Sequence, residues 1–176
     1  WGWFSLMVAT NPGFSGQIHA FEPFPTTYLD LNSMVEQCGL RDHIQTHNFA
    51  LMAESGIASI YIPDHIHSGN ATVTKESRGR GGIKTSRLDD FSGSAPDVMK
   101  VDVEGNEANV FIGGQKTIEK HKPFIVFENK RETDDFEVIM EPLLLLEKQG
   151  YKFYHAAWLK QVHQSPCLIG DEFDPH

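Results

Sequence analysis

Apolar and polar residues alternate along the first part of the chain in a pattern that predicts a helix, a strand and a second helix. Apolar side chains from about Trp3 to Ala9 predict a short helix that Asn11-Pro12-Gly13 ends. Gln17 to Phe21 then predicts a strand. From Pro25 to about Cys38, apolar residues recur at helical spacing, and Gly39 follows as a helix terminator.

Short strands separated by polar turns are predicted for the next part of the chain. The segments Ile44 to His47, Ile57 to Ile62 and Ala71 to Thr74 are short and contain β-branched residues, which is typical of strands. Glu76 to Gly82 is rich in Gly and Arg and predicts a mobile loop. Ile83 to Leu88 predicts a strand at the edge of a sheet.

Longer apolar segments in the second half again predict strands and helices in alternation. A strand at Val98 to Val103 precedes a single helix from Asn106 to Lys120. Pro123 to Phe127 is almost wholly apolar, which predicts a strand covered on both faces. The remaining predicted elements are a helix and then a strand pair: Asp134 to Gln149, closed by Gly150, and Tyr151 to His155 with Trp158 to Val162.

The order of these elements predicts the fold class. Strands that alternate with helices form a largely parallel sheet with helices on both faces. We therefore predict an α/β fold with a doubly wound sheet and an antiparallel strand pair at the end of the chain. The length of 176 residues fits one domain over residues 1–176 and is too short for two domains of ordinary size.

Charge and cysteine content narrow the possible partners and location. The formal net charge of −9 disfavours a broad electrostatic contact with nucleic acid or with an anionic membrane. No apolar run is long enough to span a bilayer. The two cysteines, Cys38 and Cys167, are too far apart to indicate a disulfide framework or a metal pair. We therefore expect a protein of the reducing cytoplasm, with neither nucleic acid nor membrane as a partner.

Polar residues stand where the predicted parallel strands end. They are Glu22, Asn48, the segment Asp102 to Gly105, and Glu128. Ligands of doubly wound sheets bind beyond the carboxyl ends of the strands. Glu22 follows Gly2 by 20 positions, and an acidic residue at that distance from a Gly-rich turn accepts hydrogen bonds from ribose hydroxyls. The alternative interpretation of Glu22 is a solvated carboxylate at a strand end.

Several segments, in order, resemble the FkbM family of methyltransferases. They are Gly2-Trp3-Phe4-Ser5, Ala20-Phe21-Glu22-Pro23-Phe24-Pro25, Asn48-Phe49-Ala50-Leu51, Lys100-Val101-Asp102-Val103-Glu104-Gly105-Asn106-Glu107 and Pro123-Phe124-Ile125-Val126-Phe127-Glu128. The resemblance implies S-adenosylmethionine as the cofactor, O-methylation of a hydroxyl on a small metabolite or sugar, and a Rossmann-like class I sheet of seven strands whose last strand is antiparallel. The family's first strand and its Asp-x-Gly-Ala-Asn turn would precede Gly2, so we expect an N-terminally truncated domain without them.

The resemblance also implies which residues bind the cofactor. Gly2 would end the Gly-rich turn, and Glu22 would hold the ribose hydroxyls. Phe21 and Pro23 would shape the adenosine pocket. Two further residues, Asn48 and Ala50, would lie near the adenine edge, although Asn48 is also a common turn residue.

Asp102 and Glu128 are the candidate catalytic residues. Asp102 would contact the amino group of the cofactor or orient the acceptor, and its alternative role is to cap the next helix, as for Glu104 and Glu107. Glu128 would act as the base or orient the acceptor, because a base for methyl transfer to a hydroxyl needs only to accept its proton. Asp102 and a histidine remain the other candidates for the base. Lys100 is expected to form an ion pair with a nearby carboxylate.

The remaining polar clusters do not indicate a ligand. The nine histidines include His43 with His47 and His65 with His67, but no third ligand has a suitable spacing, so no metal is predicted. Basic residues at positions 78 to 87 are attributed to a soluble loop. Two other functions remain open: a nicotinamide-dependent oxidoreductase, which shares the acidic residue after a Gly-rich turn, and a non-catalytic remnant of the methyltransferase fold. The sequence identifies neither the acceptor nor the oligomeric state.

Overall fold

The structure is a computed structural model that describes residues 2–61, 72–74, 80–93, 95–128, 136–154, 160–162, 165–167 and 172–173. Contacts divide the chain into two compact units, Trp1–Glu128 and Asn129–His176. The helices of the first unit are α1 (Trp3–Ala9), α2 (Pro25–Gln37), α3 (Glu107–Gly113) and α4 (Gln115–His121). Its strands are β1 (Ile18–Phe21), β2 (Ile44–His47), β3 (Ala50–Leu51), β4 (Gly56–Tyr61), β5 (Thr72–Thr74), β6 (Arg80–Ser86), β7 (Val98–Val101) and β8 (Phe124–Phe127).

Two parallel strand pairs, each closed by helices, confirm the predicted α/β class. β1 pairs with β2 after the crossover through α2, and β7 pairs with β8 after the crossover through α3 and α4. Within the described residues, each pair forms a sheet of two strands, and hydrogen bonds do not join the pairs into one sheet. The coarse fold is therefore established, whereas the doubly wound arrangement stays a prediction.

The first helical layer packs on β2 through a small apolar core. Its buried residues are Leu6, Ala9, Leu31, Val35, Leu40 and Ile44. The turn after α2 holds this core in place, because Gly39 adopts a left-handed φ of 67° and the Leu40 amide then donates to the Val35 carbonyl at 2.9 Å. A glycine after the last helical turn is the usual residue for this conformation. The sequence prediction of the end of α2 is confirmed.

A mixed sheet with the order β3–β6–β4–β5 follows the first parallel pair. Strand β6 lies between β3 and β4, so the prediction of an edge strand at Ile83 to Leu88 is wrong, and so is the prediction that the loop extends to Gly82. Gly82 pairs with Ser59, and a Cβ at Gly82 would lie 2.9 Å from a methyl carbon of Ile57. Glycine at this position permits the close approach of β4. In the sequence, this glycine was interpreted as part of a loop. Residues 76–79 of the predicted loop lie outside the described residues.

The single helix predicted from Asn106 to Lys120 is two helices, α3 and α4, which Gly114 separates. A Cβ on Gly113 would collide with the carbonyl oxygen of Met52. The helix thus approaches the backbone after β3 so closely that only glycine fits. Gly113 and Gly114 therefore mark a contact and a break, which the apolar periodicity did not reveal.

Helix α3 covers one face of β8 and leaves the other exposed. The rings of Phe111 and Phe127 pack edge to face with centroids 5.4 Å apart. On the opposite face of the strand, Phe124 is 62% exposed and Val126 is 41% exposed. The prediction that this strand is covered on both faces is therefore wrong for the structure described.

The second unit contains a helix and two antiparallel strand pairs. Its elements are α5 (Phe136–Glu147), β9 (Phe153–Tyr154), β10 (Lys160–Val162), β11 (Ser165–Cys167) and β12 (Glu172–Phe173). Gly150 has a φ of 84° just after α5, as predicted for a helix terminator. The predicted pairing of Tyr151–His155 with Trp158–Val162 is wrong, because β10 pairs with β11 and β9 pairs with β12. None of the helices described is long and apolar enough to cross a membrane.

Candidate active site at the strand ends

The end of β1 presents Glu22 in a fixed, half-buried position. Its amide donates to the His47 carbonyl at 2.9 Å, which continues the pairing of β1 with β2. Its Oε1 accepts a hydrogen bond of 2.9 Å from the Phe24 amide. Burial raises the pKa of the Glu22 carboxyl, and the Phe24 hydrogen bond opposes that rise. The carboxylate is thus oriented by the backbone, as a group that binds hydroxyls should be.

Asn48, at the end of β2, fastens the two strand ends together. Its Nδ2 donates to the carbonyl of Glu22 at 2.9 Å and to that of Pro23 at 3.3 Å. This contact gives Asn48 a structural role in the turn, the alternative that the sequence left open. Contact of Asn48 with an adenine edge stays a prediction, and the exposed position of the residue is compatible with it.

Phe21 and Ala50, which were also predicted to bind the cofactor, pack against other residues of the protein. The Phe21 ring stacks on the His47 imidazole, with centroids 4.8 Å apart. Ala50 is 6% exposed in a small core with Met52 and Ile83. Both residues therefore support the strand ends from within, and a direct contact with a cofactor stays a prediction.

Gly2 has two physical reasons to be glycine. It begins α1 with a left-handed φ of 70°, and its carbonyl accepts a hydrogen bond of 2.9 Å from the Leu6 amide. A Cβ on Gly2 would collide with the Leu31 side chain of α2. This packing explains the glycine without a ligand, so its role in cofactor binding also stays a prediction.

The end of β7 carries an ion pair that the sequence predicted. Lys100 Nζ lies 2.7 Å from an Asp102 carboxylate oxygen. The same ammonium lies 5.9 Å from the ring centroid of Phe4 in the first turn of α1. Because Gly2 at the start of that turn packs on α2, the first turn of α1 contacts both α2 and the Lys100–Asp102 pair. The beginning of α1 thus lies beside the Lys100–Asp102 pair.

Asp102 and Glu128 lie close together, and Glu104 lies beside them. One carboxylate oxygen from each residue is within 4.8 Å of the other two. Such an arrangement of oxygen atoms can accept a proton or hold a hard cation such as Mg²⁺. Exposed acidic groups often lie together without an ion, and the prediction that the chain binds no metal stays a prediction. We call these three residues the carboxylate cluster.

The loop between β7 and α3 is held in an unusual conformation by a buried glutamate. Glu104 and Gly105 both have positive φ, 52° and 88°. Glu107 is 5% exposed, and its Oε1 accepts hydrogen bonds of 3.3 Å from the amides of Val103 and Gly105. Both amides precede α3, so Glu107 stabilises the loop before the helix, and capping of the helix by an acidic side chain stays a prediction. Positive φ at a residue other than glycine is typical of functional loops.

Comparison with known proteins decides the family. The sequence model described as the methyltransferase FkbM domain matches residues 1–153. The chain belongs to the FkbM methyltransferase family. The resemblance inferred from the Glu-Pro-Phe-Pro and Lys-Val-Asp-Val-Glu-Gly segments is thereby confirmed.

A crystal structure gives independent evidence for the fold of this FkbM chain. The methyltransferase FkbM from Methylobacillus flagellatus KT superposes with a TM-score of 0.61 at 16% sequence identity. The match covers 86% of this chain and 35% of that protein, so the chain spans about a third of its length. At this identity the likeness shows the α/β fold alone. No curated protein matches the chain.

The sequence missed two features of the FkbM site region. His19 Nδ1 and His47 Nε2 lie 3.1 Å apart across β1 and β2, whereas sequence spacing had drawn attention to His43 and His47. The parallel register could have revealed the pair. In this register Phe21 lies beside His47, and His19 shares one face of β1 with Phe21. The second feature is Glu104 in the carboxylate cluster, for which no sequence signal beyond its position after a strand was present.

Proposed function

We propose that this chain is part of an S-adenosylmethionine-dependent methyltransferase that methylates a hydroxyl on a small metabolite or sugar. The observation that carries the proposal is the half-buried Glu22 carboxylate, oriented by the Phe24 amide at the end of a parallel strand in an FkbM-family chain. A carboxylate fixed in this way can accept hydrogen bonds from both hydroxyls of a ribose. When bound, S-adenosylmethionine supplies an electrophilic methyl group on its sulfonium.

The residues at this end of the strands fit such a cofactor chemically. Glu22 offers an acceptor for the sugar, and Phe21 and Pro23 border it with apolar surface. Gly2 keeps side-chain atoms away from the start of α1. Because burial raises the pKa of Glu22, hydrogen bonds from a ligand would stabilise its ionised form. Binding of the ribose by Glu22 therefore satisfies a group that is only partly hydrated.

The carboxylate cluster supplies the candidate general base. An acceptor hydroxyl within hydrogen-bond reach of Asp102 or Glu128 could pass its proton to one of them. Lys100 Nζ lies 2.7 Å from an Asp102 carboxylate oxygen and holds this carboxylate in place. Much of the rate acceleration in methyl transfer is expected from alignment of the hydroxyl rather than from the base.

We also propose that the two strand–helix–strand units, β1–α2–β2 and β7–α3–α4–β8, belong to one doubly wound sheet of the Rossmann-like type. Their parallel pairing and the overall likeness to the Methylobacillus protein support this arrangement. A small-molecule acceptor and a cytoplasmic location complete the proposal. The net charge of −9 supports a small-molecule acceptor over a nucleic acid. The exposed free thiol of Cys38 is compatible with the cytoplasmic location.

Equilibrium binding separates this function from its alternatives. We expect S-adenosylmethionine and S-adenosylhomocysteine to bind, and NAD and NADP not to bind, in parallel calorimetric titrations of the same preparation. Binding of a nicotinamide cofactor alone would establish the oxidoreductase alternative. Absence of binding for all four compounds, in a chain shown to be folded by circular dichroism, would support a non-catalytic remnant.

A further inference from the structure

Two histidines face each other on the strands that end at Glu22 and Asn48. His19 Nδ1 and His47 Nε2 are 3.1 Å apart, a hydrogen-bond distance. One imidazole must donate an N–H and the other must accept with a lone pair, so at least one ring has to be neutral. When both rings carry a proton on each nitrogen, two donors of like charge face each other and the bond is lost.

Aromatic rings pack against the pair. Phe91 meets His19, His47 and Phe21 edge to face, at centroid distances of 5.1, 5.0 and 5.2 Å. Phe49 completes the group at 5.8 Å from His47. Removal of water by these rings disfavours charge on the imidazoles. Burial lowers the pKa of both histidines, and the charge of His19 lowers that of His47 further.

The pair is connected to the carboxylate at the strand end. The His47 carbonyl accepts from the Glu22 amide at 2.9 Å, and the His47 ring stacks on Phe21, the residue before Glu22. A separation of β1 from β2 at this point would displace both the backbone and the ring that support Glu22. The ionisation of the histidines is therefore mechanically linked to the position of the proposed ribose ligand.

We propose that His19 and His47 form a proton-sensitive pair that positions Glu22, so that cofactor binding requires the pair to carry at most one positive charge. The two are positioning residues and contact neither cofactor nor acceptor. This inference rests on the proposed function, because the ligand whose affinity it controls is S-adenosylmethionine. It adds a pH dependence that the family assignment does not imply.

The other charged groups near the pair have contacts of their own. Lys84 of β6 lies over the Phe49 ring at 5.7 Å from its centroid. Asp89 and Asp90 precede Phe91, and they accept hydrogen bonds from Thr117 and from Ser55 respectively. Before β2, His43 contacts the Gly16 carbonyl. Glu22 itself also gains a proton in acid, so the test must separate its titration from that of the histidines.

The sign of the effect follows from the lowered pKa values. The unfolded chain takes up histidine protons near pH 6.5, whereas the folded pair resists them. Stability from the pair is therefore complete above about pH 6.5 and is lost as pH falls through the folded pKa values. If binding needs a pair with at most one positive charge, affinity falls by up to about tenfold per pH unit below the pH at which the second ring becomes charged.

The experiment measures S-adenosylhomocysteine binding between pH 5 and 8 in the wild type, His19→Gln, His47→Gln and the control His121→Gln. His121 is exposed at the end of α4. We expect the wild type and the control to lose affinity as pH falls through the lowered histidine pKa values, which lie below the ordinary value of about 6.5. Both pair variants should show a flatter profile with only the Glu22 component left. Identical profiles in all four proteins would overturn the proposal.

Proton NMR of the imidazoles tests the pair without a ligand. We expect the His47 pKa to rise in His19→Gln, because a neighbouring charge is removed, and we expect the Glu22 side-chain carboxyl carbon of the wild type to shift with the histidines. An unchanged His47 pKa, or a Glu22 signal that ignores the histidine transition, would overturn the inference. If S-adenosylhomocysteine fails to bind at pH 8, the proposed function fails, and the NMR result still decides the pair. Should His47→Gln fail to fold, His19→Gln carries both measurements.

Discussion

Replacement of Asp89 by asparagine should destabilise the first unit, because this carboxylate caps a helix that lacks a cap of its own. The residue before α4 is Gly114, which has no side chain. Asp89 supplies the acceptor from the turn Leu88–Asp90: its Oδ1 accepts from the Thr117 amide at 2.9 Å and from the Thr117 hydroxyl at 3.0 Å. Its Oδ2 accepts from the Lys116 amide at 3.3 Å.

The magnitude follows from the number of bonds that Asp89→Asn disrupts. The Asp89 side chain is 5% exposed and also pairs with Arg87 at 3.1 Å. Asparagine replaces one acceptor oxygen with a donor. The variant therefore loses either the hydrogen bonds from Thr117 or those from Lys116 and Arg87. Hydrogen bonds to a charged group contribute about 1.5–3 kcal/mol and a helix cap about 1 kcal/mol. Because these contributions overlap, we expect a loss of about 2–3 kcal/mol in the free energy of unfolding.

Urea unfolding at pH 7 measures this loss, with Asp90→Asn as the matched control. Asp90 is the exposed neighbour, and its carboxylate accepts one hydrogen bond of 3.1 Å from Ser55, so its replacement should cost less than about 1 kcal/mol. Equal midpoints for the two variants would refute the capping role of Asp89. A changed slope would instead indicate an altered unfolded state.

Acid should remove the difference in the free energy of unfolding between the wild type and Asp89→Asn. Burial alone would raise the pKa of Asp89, but hydrogen bonds from Thr117, Lys116 and Arg87 outweigh it and lower the pKa. A carboxyl with a lowered folded pKa stabilises the protein fully above the unfolded pKa of about 3.9 and loses that contribution below it. The difference should therefore be constant from pH 8 to about pH 5 and shrink below about pH 4.

Two further predictions concern a close backbone contact and an exposed ion pair. Gly113→Ala should lower the free energy of unfolding by more than about 2 kcal/mol, because its Cβ collides with the Met52 carbonyl. The control Gly39→Ala has open space but a positive φ, and should lower it by about 1 kcal/mol. Equal losses in urea unfolding would contradict the close contact at Gly113. Lys100→Met should change stability by less than about 1 kcal/mol, because the pair with Asp102 is 32% and 43% exposed; a larger loss in the same assay would show that the ion pair has a structural role.

Local sequence patterns predicted local structure well where one face of an element is apolar. The bounds of α1, the end of α2 at Gly39 and the strand Ile44–His47 followed from apolar spacing and from glycine alone. These features depend on residues near in sequence. They therefore need no knowledge of the rest of the chain.

Sequence reasoning failed where a distant part of the chain decides the conformation. Gly82 and Gly113 are glycines because Ile57 and Met52 approach them, and neither neighbour is visible in a local pattern. The last strands pair in an order that apolar spacing does not encode. Such contacts arise only from the three-dimensional packing.

The candidate site shows the same division. Glu22 and Asp102 were found because polar residues after apolar strands are conspicuous in the sequence. The pairing of His19 with His47 required the register of two strands, and the place of Glu104 beside Asp102 required the shape of a loop with positive φ. Chemistry at single positions was predictable, whereas proximity between positions was not.

The central claim is that Glu22 binds the ribose of the methyl donor, and calorimetry of S-adenosylhomocysteine binding to Glu22→Gln at pH 8 tests it most directly. Loss of hydrogen bonds to a charged group, about 1.5–3 kcal/mol, corresponds to affinity lower by about ten- to 150-fold. The control Glu119→Gln, an exposed residue of α4, should bind as the wild type does. Equal affinity of the wild type and Glu22→Gln would contradict the account.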